Sequence, residues 1–319
     1  MRSGATWPDV LTTLRNGVRM VFLPLGGSVM LYLLQDKLLF NPGRTPAVTS
    51  ACGPDHRKRA VTLRMRGGTK LRGWWMRPDR QAPSAAPAII YFGGRSEEVS
   101  WVAPYAAALS GMHVLFVNYR GYGRSDGQPS ERALFSDALE LYDWLGSQPG
   151  VHAERMAVIG RSLGSGVAAY VAARRRVAAA VLMTPYDSIL EIARHRYPWA
   201  PVRLLLRHRF EAVRFAGTTR SPVLVLLAEH DEVIPYEHTL RLINAWAGEK
   251  QVLVIPGSDH CDIQEKLRSW SAVREFLRAR LAPRSANVCV SAIADGRRAP
   301  DRTSHDRSEA RLQPPAVAE

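Results

Sequence analysis

The chain has 319 residues, 46% of them hydrophobic, which is enough for one large α/β domain with a cap or for two small domains, and excludes wholesale disorder. Lys plus Arg outnumber Asp plus Glu by 43 to 29, a formal net charge of +14 that suits anionic surfaces such as lipid headgroups. No aromatic-rich RNA-binding motif or helix-turn-helix pattern accompanies that charge, so no nucleic-acid partner is expected; the scattered Cys52, Cys261 and Cys289 supply neither a metal motif nor a disulfide framework.

Residues 1–40 read as a membrane-anchor or signal-like segment. Its core, VFLPLGGSVMLYLL from Val21 to Leu34, is uncharged, with Arg15 and Arg19 before it and Asp36 and Lys37 after it. A spanning helix wants about 20 apolar residues, and this run reaches that length only when Val18, Met20, Leu38 and Leu39 are added. A single-pass anchor, a cleaved signal peptide and a helix packed on the domain all stay open. Arg2, Arg15 and Arg19 favour an inside N-terminus, whereas Arg57, Lys58 and Arg59 oppose it, so the membrane face is not assigned.

The body, residues 41–282, follows. Ala60 to Met76 reads as a hairpin around GGTK. Short apolar runs fit for buried parallel strands lie at 88–92, 113–118, 155–160, 178–183, 222–228 and 251–256. Helical patterns lie between them at 99–110, 130–145 with Ser130 as N-cap, 163–174, 238–247 and 263–281. Strands alternating with helices predict a mainly parallel sheet covered on both faces, with the hairpin antiparallel at one edge. Residues 283–319 turn polar and Pro-rich and read as a disordered tail.

Three segments carry chemistry. Gly160-Arg161-Ser162-Leu163-Gly164 joins a strand directly to a helix, the context of a nucleophile elbow. Glycines without Cβ let strand and helix approach closely, and the turn exposes Ser162 at a helix N-terminus, where developing negative charge is favoured. Leu163 would supply one oxyanion-hole amide. The second would come from Gly93-Gly94-Arg95 after strand 88–92, with Arg95 preferred and Gly94 second. Downstream, Asp231 follows strand 222–228 within Asp231-Glu232-Val233-Ile234-Pro235, and it is preferred over Glu229 and Glu232 as the acid that orients the base. His260 follows the last strand and is the candidate general base. His56, His113, His152, His195, His208 and His305 lie at strand starts, in an arginine-rich segment or in loop and tail, and fit worse. Cys261 reads as a packed neighbour.

With LLFNP (38–42), YFGGRSEEVS (91–100), VNYRGYGRSDGQPS (117–130), GRSLGSG (160–166), TPYDSI (184–189), DEVIP (231–235) and PGSDH (256–260), the chain resembles the α/β-hydrolase superfamily. It is most similar to the serine-aminopeptidase-like branch and the membrane-anchored bacterial hydrolases of ABHD type. The resemblance implies an α/β-hydrolase fold with an eight-stranded sheet and a small helical cap over about 185–220. It implies a serine hydrolase of carboxylic esters, lipid or acyl esters among them, at the bacterial inner membrane. No metal and no cofactor are implied. Relatives often read His-Gly-Asn where this chain has Gly93-Gly94-Arg95, which unsettles the second oxyanion donor. Asp126 looks like a structural loop carboxylate. A peptidase or amidase with the same triad, and a non-catalytic scaffold that binds partners, are the alternatives. Within the cap, HRYPWAPVRLLLRHRF (195–210) permits an apolar acyl pocket with a cationic rim drawn from Arg194, Arg196, Arg203, Arg207 and Arg209, or an amphipathic lid with a solvated basic face.

Overall fold

A computed structural model of the chain describes residues 26–42, 58–78 and 85–283. Two units are distinguished, Met1–Ala282 and Pro283–Glu319; the expected polar tail and the first 25 residues lie outside the described residues. The leading hairpin forms from β1 (Lys58–Arg64) and β2 (Lys70–Met76). β3 (Ala86–Phe92), β4 (His113–Val117), β5 (Val151–Arg161), β6 (Ala179–Met183), β7 (Val223–His230) and β8 (Lys250–Asp259) complete one eight-stranded sheet. Its order is β1-β2-β4-β3-β5-β6-β7-β8, with the hairpin antiparallel at the edge and β4 to β8 parallel.

Side-chain alternation divides the core. Ala88, Ile90 and Phe92 of β3 face one layer, and Ile89 and Tyr91 the other. The first layer is closed by α3 (Glu131–Gly146), α4 (Leu163–Arg174), α7 (Ala212–Ala216) and α8 (Tyr236–Ala245), and the second by α2 (Val102–Ala106) and α9 (Leu267–Leu281). β3, β4 and β6 are buried along their whole length, as expected for strands covered on both sides. Each large aliphatic side chain so buried contributes about 1.5–3 kcal/mol.

Several boundaries differ from the sequence expectation for local reasons. The 99–110 helix is broken into a 3₁₀ turn at Val99–Trp101, α2, and a second 3₁₀ turn at Ala107–Leu109; Pro104 has no amide to continue a ladder. The last helix starts at Leu267 rather than Ile263, because the Asp259 carboxylate takes the amides of Cys261 (2.6 Å) and Asp262 (2.9 Å) and holds a turn there. Pro87, which cannot donate to a ladder, coincides with a register shift between β3 and β5.

The cap is smaller than the 185–220 span. α5 (Ile189–Arg196) and α6 (Val202–Leu205) form it with Ala200 and Leu206. α7 belongs to the body, with Ala212 and Ala216 fully buried in the main core. A helix over residues 26–39, α1, lies against this cap. Gln35 donates to the Leu205 carbonyl (3.1 Å) and accepts from the Arg207 amide (2.7 Å), and Arg207 pairs with Asp36 at 3.1 Å. For its described half the N-terminal segment therefore packs on the domain. No helix among the described residues is long and apolar enough to cross a membrane.

Two histidines tie stability to pH. His208 accepts from the Glu131 amide (3.3 Å) through Nδ1 and meets Asp36 (3.2 Å) through Nε2, and burial lowers its pKa below 6.5 despite that carboxylate. Burial lowers His113 likewise, and its Nδ1 has no partner. Both bind protons more weakly folded than unfolded, so their contribution is present above 6.5 and is lost as the pH falls through the folded values. The thermal midpoint is expected to fall between about pH 7 and pH 5, and to fall less in His208→Gln. An unchanged slope in that variant would assign the effect elsewhere.

Candidate active site

β5 ends at Arg161 and α4 begins at Leu163, leaving Ser162 alone to turn the chain. Its backbone stands at φ 48°, ψ −117°, a conformation that costs a non-glycine residue about 1–3 kcal/mol. The surroundings hold it there. The Ser162 amide donates to the Met183 carbonyl (2.9 Å), and its carbonyl accepts from the Ser165 amide (2.8 Å) and hydroxyl (2.7 Å). Gly160 and Gly164 are required by packing: a Cβ on Gly164 would fall on the Phe92 carbonyl oxygen, and one on Gly160 would fall on the Gly164 carbonyl oxygen. The hydroxyl thus stands at the N-terminus of α4, beneath the cap.

β7 and β8 run past the expected ends, and after a bulge they pair His230 with Asp259. The next residue of each strand is a site residue, so the pairing sets Asp231 and His260 side by side. His260 Nδ1 lies 2.9 and 3.0 Å from the two Asp231 oxygens, and Nε2 lies 2.9 Å from Ser162 Oγ. The Asp231 carboxylate also accepts from the amides of Val233 (2.9 Å) and Ile234 (2.8 Å), which fixes its rotamer. The rivals are placed elsewhere: Glu229 accepts from the Gly257 amide at 2.7 Å, and Glu232 stands on the cavity wall. With Nδ1–H directed at the carboxylate, Nε2 is left to accept the serine proton. Cys261 is exposed and free.

The oxyanion loop requires one correction. The Gly94 amide donates to Glu97 Oε2 at 2.6 Å and is not available as a second donor. Leu163 and Arg95 both line the cavity with Ser162. Sequence reasoning passed over what holds this loop. Glu97 is buried and accepts from the Gly94 amide, Tyr91 O–H (2.8 Å), Trp101 Nε1 (3.1 Å) and Arg161 Nη1 (2.9 Å). Arg161 reaches the other way, donating to Gln264 Oε1 (2.8 Å) and the His260 carbonyl (3.2 Å). Burial opposes the Arg161 charge, yet the Glu97 carboxylate together with Tyr91 and Cys261 outweighs it and the pKa is raised. Burial and the same carboxylate push Tyr91 well above 10, so it stays a neutral donor. One ion pair therefore links the oxyanion loop to the histidine loop. The signal in the sequence was the variable residue inside Gly160-Arg161-Ser162 and the doublet Glu97-Glu98.

The recurrent motifs brace the same loop. Phe40 accepts from the Ser96 amide (3.1 Å) and from Tyr122 O–H (2.6 Å), and Tyr119 O–H donates to the Gly93 carbonyl (3.0 Å). Asp126 pairs with Arg72 at 3.0 Å, away from the site.

Over Ser162 opens a cavity of about 630 Å³, walled by Leu31, Leu39, Ile189, Ile192, Leu205 and Leu206. The expected cationic rim is met only at Arg196. Arg207 is engaged with Asp36, Arg203 lines a separate cavity, and the arginines on this one are Arg95 and Arg196.

A parallel sheet that delivers serine, aspartate and histidine from its carboxyl edge under a helical cap has the layout of an α/β hydrolase. The alpha/beta hydrolase fold family matches residues 87–209. The uncharacterized protein Rv2307c of Mycobacterium tuberculosis is 34% identical over 265 residues, covering 82% of this chain and 93% of that one. The alpha/beta hydrolase domain-containing protein aho-3 of Caenorhabditis elegans is 27% identical, over 60% of this chain and 59% of its own. Among solved structures, an acetyl xylan esterase from Paenibacillus sp. R4 superposes with a TM-score of 0.59 at 20% identity, covering 72% of this chain and 86% of its own. Est1E from Butyrivibrio proteoclasticus with ferulic acid gives 0.59 at 22%, covering 70% and 100%. The chain belongs to the α/β-hydrolase family.

Proposed function

We propose that the protein is a serine esterase that cleaves carboxylic esters through an acyl-enzyme, with Ser162 as nucleophile, His260 as general base and Asp231 as its orienting acid. The observation that carries this reading is the unbroken hydrogen-bonded series from Ser162 Oγ through His260 to Asp231. Ser162 attacks the ester carbonyl as His260 Nε2 takes its proton. The amides of Leu163 and Arg95 receive the oxyanion. The imidazolium returns the proton to the leaving alcohol, and a water activated by the same imidazole hydrolyses the acyl-enzyme. The fold shared with the acetyl xylan esterase and with Est1E supports esters over amides. A fluorophosphonate probe should label Ser162, and p-nitrophenyl esters should turn over faster than aminoacyl amides. An unlabelled serine in folded protein would favour a scaffold; faster amide cleavage would favour a peptidase.

The apolar cavity points to an acyl chain as the group bound. Burial of a methylene contributes about 0.8 kcal/mol, so kcat/KM should rise roughly threefold to fourfold per added carbon until the cavity fills. Ile192→Arg should flatten that series while acetate esters still react. A flat series in the unaltered protein would reject the acyl pocket.

The substrate would be met at a lipid surface, which is also how a bacterial inner-membrane location would be used. Val29, Met30 and Leu33 of α1 and Leu204 of the cap expose 52%, 57%, 69% and 86% of their area on a strongly basic chain. Anionic vesicles should co-sediment the protein, and Leu33→Ser with Leu204→Ser should release it. Equal binding by that double variant would remove this face from the proposal.

A further inference from the structure

A second cavity, of about 500 Å³, lies between the cap helix α5 and the body helix α8. Tyr197, Ala200 and Val202 separate it from the cavity over Ser162, since they line both. On its wall stand His195 from α5 and Glu237 and His238 from α8, with one donor atom of each within 4.8 Å of the others. The reaction proposed above uses none of the three.

His238 is the informative member. It is 2% exposed, and its Nε2 is buried without any hydrogen-bond partner. Leaving such an atom without a partner is destabilising, and one explanation is a missing ligand. Its Nδ1 lies 2.8 Å from Asp187 Oδ1 and 2.8 Å from Arg241 Nη2, and a single nitrogen cannot serve both. The buried Asp187 oxygen can only accept, so it requires a proton on Nδ1, whereas Arg241 already donates its Nε to the other Asp187 oxygen. The Nδ1 proton therefore goes to Asp187, and Nε2 carries the free lone pair. A carboxylate behind a histidine whose other nitrogen is bare is the arrangement that orients histidine ligands on zinc.

Two imidazoles and a carboxylate suit a borderline divalent transition ion rather than magnesium or calcium. Bonds of about 2.0–2.2 Å bring tetrahedral ligand atoms to about 3.5 Å from one another, so the cluster must close by roughly an ångström. His195 and Glu237 are exposed and able to do so. Charge does not forbid it. Of the three arginines on this wall, Arg194 is held by Glu191 (2.7 Å) and Arg241 by Asp187 (2.6 Å), which leaves Arg203.

We propose that His195, Glu237 and His238 form a zinc-class site that bridges the cap to the body. An ion there would clamp α5 to α8, the helix that begins immediately after the Asp231 to Pro235 turn, and so hold the lid over Ser162. His195 lies more than forty positions before the adjacent Glu237 and His238, which is why no spacing motif announced them.

The test uses untagged full-length protein stripped with EDTA and titrated with Zn²⁺ by calorimetry and thermal unfolding. One ion should bind per chain and raise the thermal midpoint. His195→Ala and Glu237→Gln change exposed residues, and each should weaken binding about 10-fold or more without lowering the midpoint of the apo protein. Asp187→Asn should weaken it about 10- to 100-fold if the protein still folds. Three outcomes would overturn the site: no saturable binding below about 1 mM, equal binding by both exposed variants, or a midpoint raised by inorganic phosphate and not by Zn²⁺.

Discussion

Ser162→Ala is expected to lower kcat/KM for a short p-nitrophenyl ester by roughly 10⁴- to 10⁶-fold while leaving the thermal midpoint unchanged or raised. The loss is large because the hydroxyl is the only atom in the series that forms a bond to substrate; without it His260 and Asp231 have nothing to activate. The proposed oxyanion amides belong to the backbone of Leu163 and Arg95 and would survive the change, so a small residual rate over water should remain. Stability should not fall, because alanine keeps the Cβ and leaves the backbone conformation at φ 48° as it was, and the hydroxyl makes one side-chain hydrogen bond, to His260. His260→Ala should cost a comparable factor, and the double variant little more, since the residues act as a unit. Additive losses in that double variant would mean that the two side chains work independently, which the proposed mechanism does not allow.

Arg161→Ala should produce the second largest effect, and it acts on stability and rate together. The Arg161 and Glu97 side chains are 11% and 5% exposed. Removing the guanidinium leaves a carboxylate buried without its partner, at a cost of about 3–5 kcal/mol. It also frees the Gln264 and His260 contacts on the other side. We expect kcat to fall about 10- to 100-fold with a smaller change in KM, as for loss of a group that orients catalytic ones. Glu97→Gln distinguishes positioning from folding. An amide at this site keeps one acceptor for the Gly94 amide, so the protein should fold while the Arg95 end of the oxyanion hole loosens. A Glu97→Gln enzyme with unchanged kcat would confine the pair to a structural role.

The sheet was legible because its strands are apolar on both faces. A run such as Ala88 to Phe92 or Ala179 to Met183 has no polar side to hide, and each appeared within a few residues of its place. The helix ends were less legible, and the causes were single residues: Pro104 dividing one helix, Asp259 and Asp262 delaying another. The cap was overdrawn because the whole interval between two strands was given to it, and only packing in the main core assigns α7 to the body.

For the site, the chain order of Gly160-Arg161-Ser162, Asp231 and His260 was sufficient to nominate a nucleophile, an acid and a base, since a strand-to-helix elbow and two strand ends on one sheet edge leave few other places for them. What the order of residues could not decide was everything that depends on contacts across the fold. The bulge that pairs His230 with Asp259 and the ion pair of Glu97 with Arg161 each join segments far apart in sequence, and the unpartnered Nε2 of His238 is visible only in the folded chain. Periodicity and spacing report the faces of a single element; the partner that meets each face is fixed only when the sheet closes.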